Sequence, residues 1–349
     1  MNQRAPRKSS HRRRRLRPLW TLLGLTALGV VATWLSSRRI EPLEGWDELL
    51  DGEDGAGGAG RAAAAHRDHP FPPTSLRVDG PAGALHVEDG GTGGLPVVFV
   101  HGLAGSAGQW AAQLAHLRRH RRALAVDLRG HGRSDPAGDG VYGVEDLAGD
   151  VAAVADELGL ERFVLAGHSL GASVASELAA REPERVAGLL LVDPNGDQTR
   201  VPRREISDFL ATVAADPEAE VRWYFKQVLT GAAPGTAERV LADLEATPPE
   251  VLVGALEASS AHSPVPALEA YRGPVLAVVS DMNTLPYSLP NLLPKLPVRL
   301  MAGTSHWLML DRPDELSELL DRFLATLSAG SPAAPAPHRP QRPPPRGPL

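Results

Sequence analysis

The chain contains no cysteine. Disulfides, thiolate catalysis and cysteine-ligated zinc are therefore excluded, and the redox compartment stays open. No internal repeat is present. Acid is missing from the first 17 residues, which carry Arg4, Arg7, Lys8, Arg12, Arg13, Arg14, Arg15 and Arg17. The net charge of −6 over 349 residues thus hides a body more acidic than the total. That argues against a nucleic-acid partner. Hydrophobics at 43% and charged residues at 22% are ordinary for a chain that buries a core.

There is one long uncharged run, Leu19–Leu35, between the basic residues 1–17 and Arg38-Arg39. A basic stretch followed by an apolar one is expected to act as an export signal or a membrane anchor over residues 18–37, at the short limit for crossing a bilayer. With no good cleavage site after it, an uncleaved anchor is favoured, placing the body outside the cytoplasm. Arg13-Arg14-Arg15-Leu16-Arg17 loosely resembles a twin-arginine signal. Residues 38–74 (GEDGAGGAGRAAAA within them) read as a Gly/Ala-rich linker, and the Pro-rich residues 329–349 as an extended tail. The folded body is expected at 75–328.

Within it, short apolar runs rich in β-branched residues recur: Leu95–Val100, Ala123–Val126, Phe163–Ala166, Ala187–Val192, Val275–Val279 and the weaker Val298–Met301. Strands buried on both faces have this character. Helical patterns lie between them, at Gln109–Arg118, Gly143–Leu158, Ser169–Glu182 and Pro313–Ser328. An antiparallel hairpin is expected within Leu76–Glu88. The alternation predicts a mostly parallel sheet covered by helices. Residues 196–271 break the rhythm with four helical patterns and no strand run. They are expected to form a helical cap over the sheet's C-terminal edge, where ligands bind in open α/β sheets.

Gly167-His168-Ser169-Leu170-Gly171 sits between a strand run and an Ala-rich helix pattern. A serine in so sharp a bend exposes its Oγ, and the flanking glycines relieve collisions there. The next helix aims free N–H groups at the same spot. His306, in a loop opened by Gly303 after the last strand run, is the candidate base that turns a weak hydroxyl into a nucleophile. His101, His131, His168, Asp127, Arg129, Arg133 and Asp135 are read as structural, while Trp110 and Trp307 suit either core packing or the lining of a pocket. The cap's Phe209, Trp223, Phe225, Val228 and Leu229 suit either an apolar substrate group or packing.

Together, His101-Gly102-Leu103-Ala104-Gly105-Ser106, Asp127–Ser134 (DLRGHGRS), the serine pentapeptide and Gly303-Thr304-Ser305-His306 resemble, in order, the motifs of the α/β-hydrolase fold superfamily. The resemblance implies a three-layer α/β/α sandwich with a mostly parallel sheet and a Ser…Asp…His triad. It implies an oxyanion hole from the backbone N–H groups of Leu103 and Leu170. Its acid normally closes a G-x-x-D segment, where this chain has Ser280-Asp281-Met282-Asn283. Asparagine cannot carry the charge that stabilises an imidazolium. Asp281 is therefore the expected acid, with Asp193 of Val192-Asp193-Pro194 the alternative. The implied activity is a serine hydrolase acting on a small-molecule ester or related acyl substrate, such as a lactone, with no metal or organic cofactor. C–C hydrolase, peptidase and cofactor-free haloperoxidase activities share the triad. A catalytically silent ligand-binding or sensor protein is the alternative from another class. Oligomeric state is not legible.

Overall fold

The computed structural model describes residues 74–329. The expected basic segment, anchor and linker, and the tail beyond residue 329, lie outside the described residues. Among the described residues, no helix is long and apolar enough to cross a membrane.

Eight strands form one sheet in the order β1-β2-β4-β3-β5-β6-β7-β8. The edge hairpin β1 (Thr74–Gly80) and β2 (Gly83–Gly90) is antiparallel, and β2 runs antiparallel to β4. The remaining strands are parallel: β3 (Val97–Val100), β4 (Ala123–Val126), β5 (Phe163–His168), β6 (Val186–Val192), β7 (Val275–Val279) and β8 (Val298–Leu300). Every residue of β3 to β6 is buried. This is why their sequences read as unbroken apolar runs: helices cover both faces.

Side chains alternate across a strand, so one run supplies two cores. Val98, Val100, Leu165, Leu189 and Leu191 pack with α2 (Val144–Glu157) and α3 (Leu170–Arg181), which contribute Leu147, Val151 and Leu178. Val97, Phe99, Val164, Leu190 and Val192 face the other way, onto Leu117 of α1 (Ala111–Leu117) and Leu320 and Phe323 of α11 (Pro313–Ala329). Truncating a fully buried member such as Leu165 to alanine is expected to cost about 2–5 kcal/mol.

Between β6 and β7 the chain forms α4 (Arg203–Ala215), α5 (Pro217–Val228), α6 (Thr236–Ala246), α7 (Pro249–Ala261) and α8 (Val265–Ala270). Asp216 caps α5 by accepting from Ala219 N, with Pro217 at the first helical position. These helices are fastened to the sheet's loops. Asp243 of α6 accepts from Gln109 Nε2 at 2.8 Å and Ser106 Oγ at 3.3 Å, and Asp311 accepts from Ala233 N at 2.8 Å. Of the apolar cap residues singled out above, Phe225 and Leu229 are buried by packing, whereas Trp223 is 42% exposed. Three short helices have no counterpart in the sequence reading: α8, α9 (Leu289–Leu292) and α10 (Leu308–Asp311).

Candidate active site

Ser169 is the only residue between β5 and α3, and its backbone is bent to φ 53°, ψ −117°. Among the described residues only two other non-glycine residues have positive φ, Ala104 (50°) and Asp193 (39°). Such conformations cost on the order of 1–3 kcal/mol each and persist only where the surroundings hold them. Here they are confined to the loops leaving three neighbouring strands, β3, β5 and β6. The flanking glycines are needed for close approach. A Cβ on Gly167 would lie 2.2 Å from Gly171 O, and one on Gly171 would lie 2.4 Å from both Val100 O and His101 O. The Ser169 hydroxyl donates to Asn195 Oδ1 at 3.0 Å.

His306 reaches the same edge from the loop after β8. Its backbone N–H donates to Val228 O of α5 at 3.0 Å, and its ring lies 4.6 Å from that of His168, the residue before Ser169. Trp307 packs 5.2 Å from the His306 ring and 5.1 Å from Phe225 of the cap, which walls in the imidazole. The His168 Nε2–H donates to His306 O at 2.9 Å, which ties the elbow to the histidine loop.

The carboxylate beside the imidazole belongs to Asp193, not Asp281. His306 Nδ1 donates to Asp193 Oδ2 at 2.7 Å, and Asp193 is buried. Its other donors are Ser280 N at 2.8 Å and Ser280 Oγ at 2.9 Å, with Asn283 Nδ2 at 3.2 Å. Asn283, standing where the acid was sought, thus serves as an amide donor to the carboxylate one strand away. It also donates to Pro194 O at 2.9 Å. Asp281 corrects the sequence expectation. Past β7 the chain turns at once: Asn283 N donates to Ser280 O at 3.1 Å, which places Asp281 inside a turn that begins at Ser280. Ser280 turns to Asp193, and Asp281 Oδ2 accepts instead from Gly303 N at 2.6 Å, in the loop that precedes His306. Gly303 has φ +73°, a conformation that favours glycine.

The loop after β3 approaches Ser169 through Gly102. A Cβ there would lie 3.0 Å from Ser169 Cβ and 2.8 Å from His168 Nδ1. Leu103 follows in this loop, and Gly105 N turns back to Gly102 O at 3.1 Å. Leu170 is the first residue of α3, where a backbone N–H has no helical partner. Of the two amides expected for an oxyanion hole, that of Leu170 opens α3 directly after Ser169, and that of Leu103 follows Gly102.

The supporting histidines are neutral. Burial lowers His101 and His168 from the ordinary imidazole value, and for His168 the nearby His306 adds to the effect. Burial, with His101 next, takes His131 down to about 3. Leu128 N donates to His101 Nε2 at 3.0 Å, so its Nδ1–H donates to Gly102 O at 2.7 Å and braces that loop. Asp127 holds the turn after β4, accepting from Arg133 N at 2.9 Å and from Ala107 N. Arg129 forms a buried ion pair with Asp150 at 2.6 Å, and Arg133 and Asp135 pair with Glu88 and Arg77. Tyr224 is 36% exposed, yet burial of its hydroxyl, with Tyr287 and Asp193 adding, pushes that group up to about 12.

One group of potential metal ligands occurs among the described residues: Glu145, Glu177 and His262, with donor atoms within 4.8 Å of one another. Arg181 already pairs with Glu177 at 2.8 Å, and His262 with Glu145 at 3.4 Å. Sequence reasoning missed Asn195 as a partner of the serine.

The chain is 29% identical over 258 residues to an sn-1-specific diacylglycerol lipase, ABHD11, of Mus musculus, covering 66% of this chain and 80% of that protein. It is 40% identical over 135 residues to a non-heme chloroperoxidase of Streptomyces lividans, covering 35% and 48%. The chain spans less than half the length of several of the curated relatives it matches, from 28% to 48%. A thermophilic esterase of Thermogutta terrifontis shares the fold with a TM-score of 0.59 and 23% identity, over 73% of this chain and 99% of that one. Residues 96–313 match the family described as alpha/beta hydrolase fold, which takes in the four motifs that carry the resemblance, and the chain belongs to that family.

Proposed function

We propose that the protein is a serine hydrolase that cleaves carboxylic esters or related acyl bonds through an acyl-enzyme on Ser169. The observation that carries this reading is the pair His306 Nδ1–Asp193 Oδ2 at 2.7 Å, at the same sheet edge as the strained Ser169. With Nδ1–H committed to the carboxylate, His306 Nε2 is left as the basic nitrogen, and the ring cannot turn without breaking that bond. Ser169 Oγ attacks the acyl carbonyl carbon as its proton passes to His306 Nε2. The oxyanion forms beside the Leu103 and Leu170 amides, where preorganised donors are worth about 3–4 kcal/mol each in comparable sites. Collapse expels the alcohol, which takes the proton from His306. Water then enters, gives a proton to His306, and releases the acid with Ser169 restored. The acid is Asp193 in this reading, and Asp281 positions the histidine loop through Gly303 N.

A fluorophosphonate probe and a p-nitrophenyl ester panel test the proposal. Covalent labelling that disappears in Ser169→Ala, together with ester turnover, is the expected result. A wild-type protein that takes no label and turns over no ester overturns it. One observation favours the second reading, a silent binding protein: the Ser169 hydroxyl is bonded to Asn195, not to the base. An unlabelled protein that still binds an acyl ligand would decide for that reading.

A further inference from the structure

We infer that Asn195 is a positioning residue that parks the Ser169 hydroxyl away from His306 and couples its release to the cap helix α7. The inference rests on the serine-hydrolase reading. Asn195 Oδ1 accepts from Ser169 Oγ at 3.0 Å, and Asn195 Nδ2 donates to Ser259 Oγ of α7 at 3.2 Å. The second bond orients the amide, so that its oxygen faces the serine. A hydroxyl has one proton to give, and in this arrangement it goes to an amide oxygen that cannot act as a base at neutral pH.

The amide is aimed by a backbone with little freedom. Asp193, two residues before it, is held at φ 39° by Val278 O and by the donors around its carboxylate. Gly196, the next residue, is packed so tightly that a Cβ would lie 2.3 Å from Tyr287 O. Asp197 N then donates to the same carbonyl at 2.8 Å, and the Asp197 carboxylate accepts from Ser263 Oγ at 2.9 Å, just beyond α7. The chain Ser169–Asn195–Ser259 therefore runs from the nucleophile to the cap without a slack link. A substrate that displaces α7 or competes for the amide frees the hydroxyl to turn to His306 Nε2. An enzyme so built reacts only from the released fraction, and its apparent rate is lowered by that fraction.

The test is the second-order rate of fluorophosphonate labelling in the full chain. Asn195→Ala is expected to label about fivefold faster than wild type, the equivalent of losing one ordinary hydrogen bond. Ser259→Ala should move the rate the same way by less, and the double variant should not exceed Asn195→Ala, because Ser259 acts through Asn195. The apparent pKa of the rate–pH profile should stay at the wild-type value in all three, since the base and its acid are untouched. Unchanged or slower labelling in both single variants overturns the inference, as does a shifted pH profile. These failures leave the hydrolase reading standing if wild type is labelled and Ser169→Ala is not. Should Asn195→Ala fail to fold, Ser259→Ala on the cap decides alone: faster labelling supports the link, and an unchanged rate overturns it.

Discussion

The loops that leave β6 and β7 are neighbours, and each carries an aspartate within two residues of its strand, yet only one of these aspartates meets the histidine. Asp193 follows Val192 directly, is buried and adopts positive φ, which turns its carboxylate back over the sheet edge toward His306. Asp281 stands one residue further from its strand, in the turn that follows it, and its carboxylate accepts from a backbone amide. What separates them is the distance from the strand end and the local bend, since the chemistry is the same. The two loops are joined: Ser280 and Asn283 of the β7 loop supply donors to the carboxylate that the β6 loop provides. An acid at one strand end and amide and hydroxyl donors at the next make one complementary unit.

The largest effect should come from removing the charge of the β6 loop. Asp193→Asn keeps the shape but leaves an amide facing three donors and the His306 Nδ1. It is expected to lower kcat by about 10^4-fold, the scale seen when such an acid becomes an amide. Burst and steady-state kinetics with a p-nitrophenyl ester measure it. A loss of less than tenfold would mean that the 2.7 Å contact does not govern the base, and the distinction between the loops would fail.

A sharper test moves the acid from one loop to the other. Asn283 Nδ2 lies 3.2 Å from Asp193 Oδ1, so a carboxylate at position 283 starts within a short swing of the imidazole. In the background of Asp193→Asn, Asn283→Asp should recover about tenfold in kcat, equivalent to ~1.4 kcal/mol of transition-state stabilisation. The amide at 193 would then donate to the new acid, which inverts the present arrangement. No recovery would show that the β7 loop lacks the bend that makes Asp193 effective.

Much of this was legible in the sequence. The parallel strands announced themselves because burial on both faces leaves no polar position in Val97–Val100 or Phe163–Ala166, and the serine bend because it needs Gly167 and Gly171. Which aspartate meets His306 was not legible, because that depends on the bend at each strand end and on the φ of Asp193, neither of which composition encodes. The Asn283 signal was present: an asparagine in the acid's place, with an aspartate closing the preceding strand, is the pattern of a relocated carboxylate. Asn195 carried no such mark, since an asparagine between proline and glycine reads as an ordinary turn residue. Its pairing with Ser169 arises only when β5 and β6 align in register, with His168 opposite Val192.

The smallest effect belongs to the β7 aspartate. Asp281→Asn keeps an oxygen that can accept from Gly303 N, so the histidine loop retains its anchor and loses only the charge of a partly exposed bond. Such bonds contribute about 1 kcal/mol or less, because water substitutes for them readily. The variant should therefore stay within about threefold of wild type in kcat, with a small loss in thermal stability, while Asp281→Ala, which removes the acceptor, should fall further in both. Parallel kcat and melting measurements on the two variants separate anchoring from charge. If Asp281→Asn instead fell as far as Asp193→Asn, the carboxylate after β7 would have to act on His306 electrostatically from the Gly303 turn, and the two loops would share the acid's task.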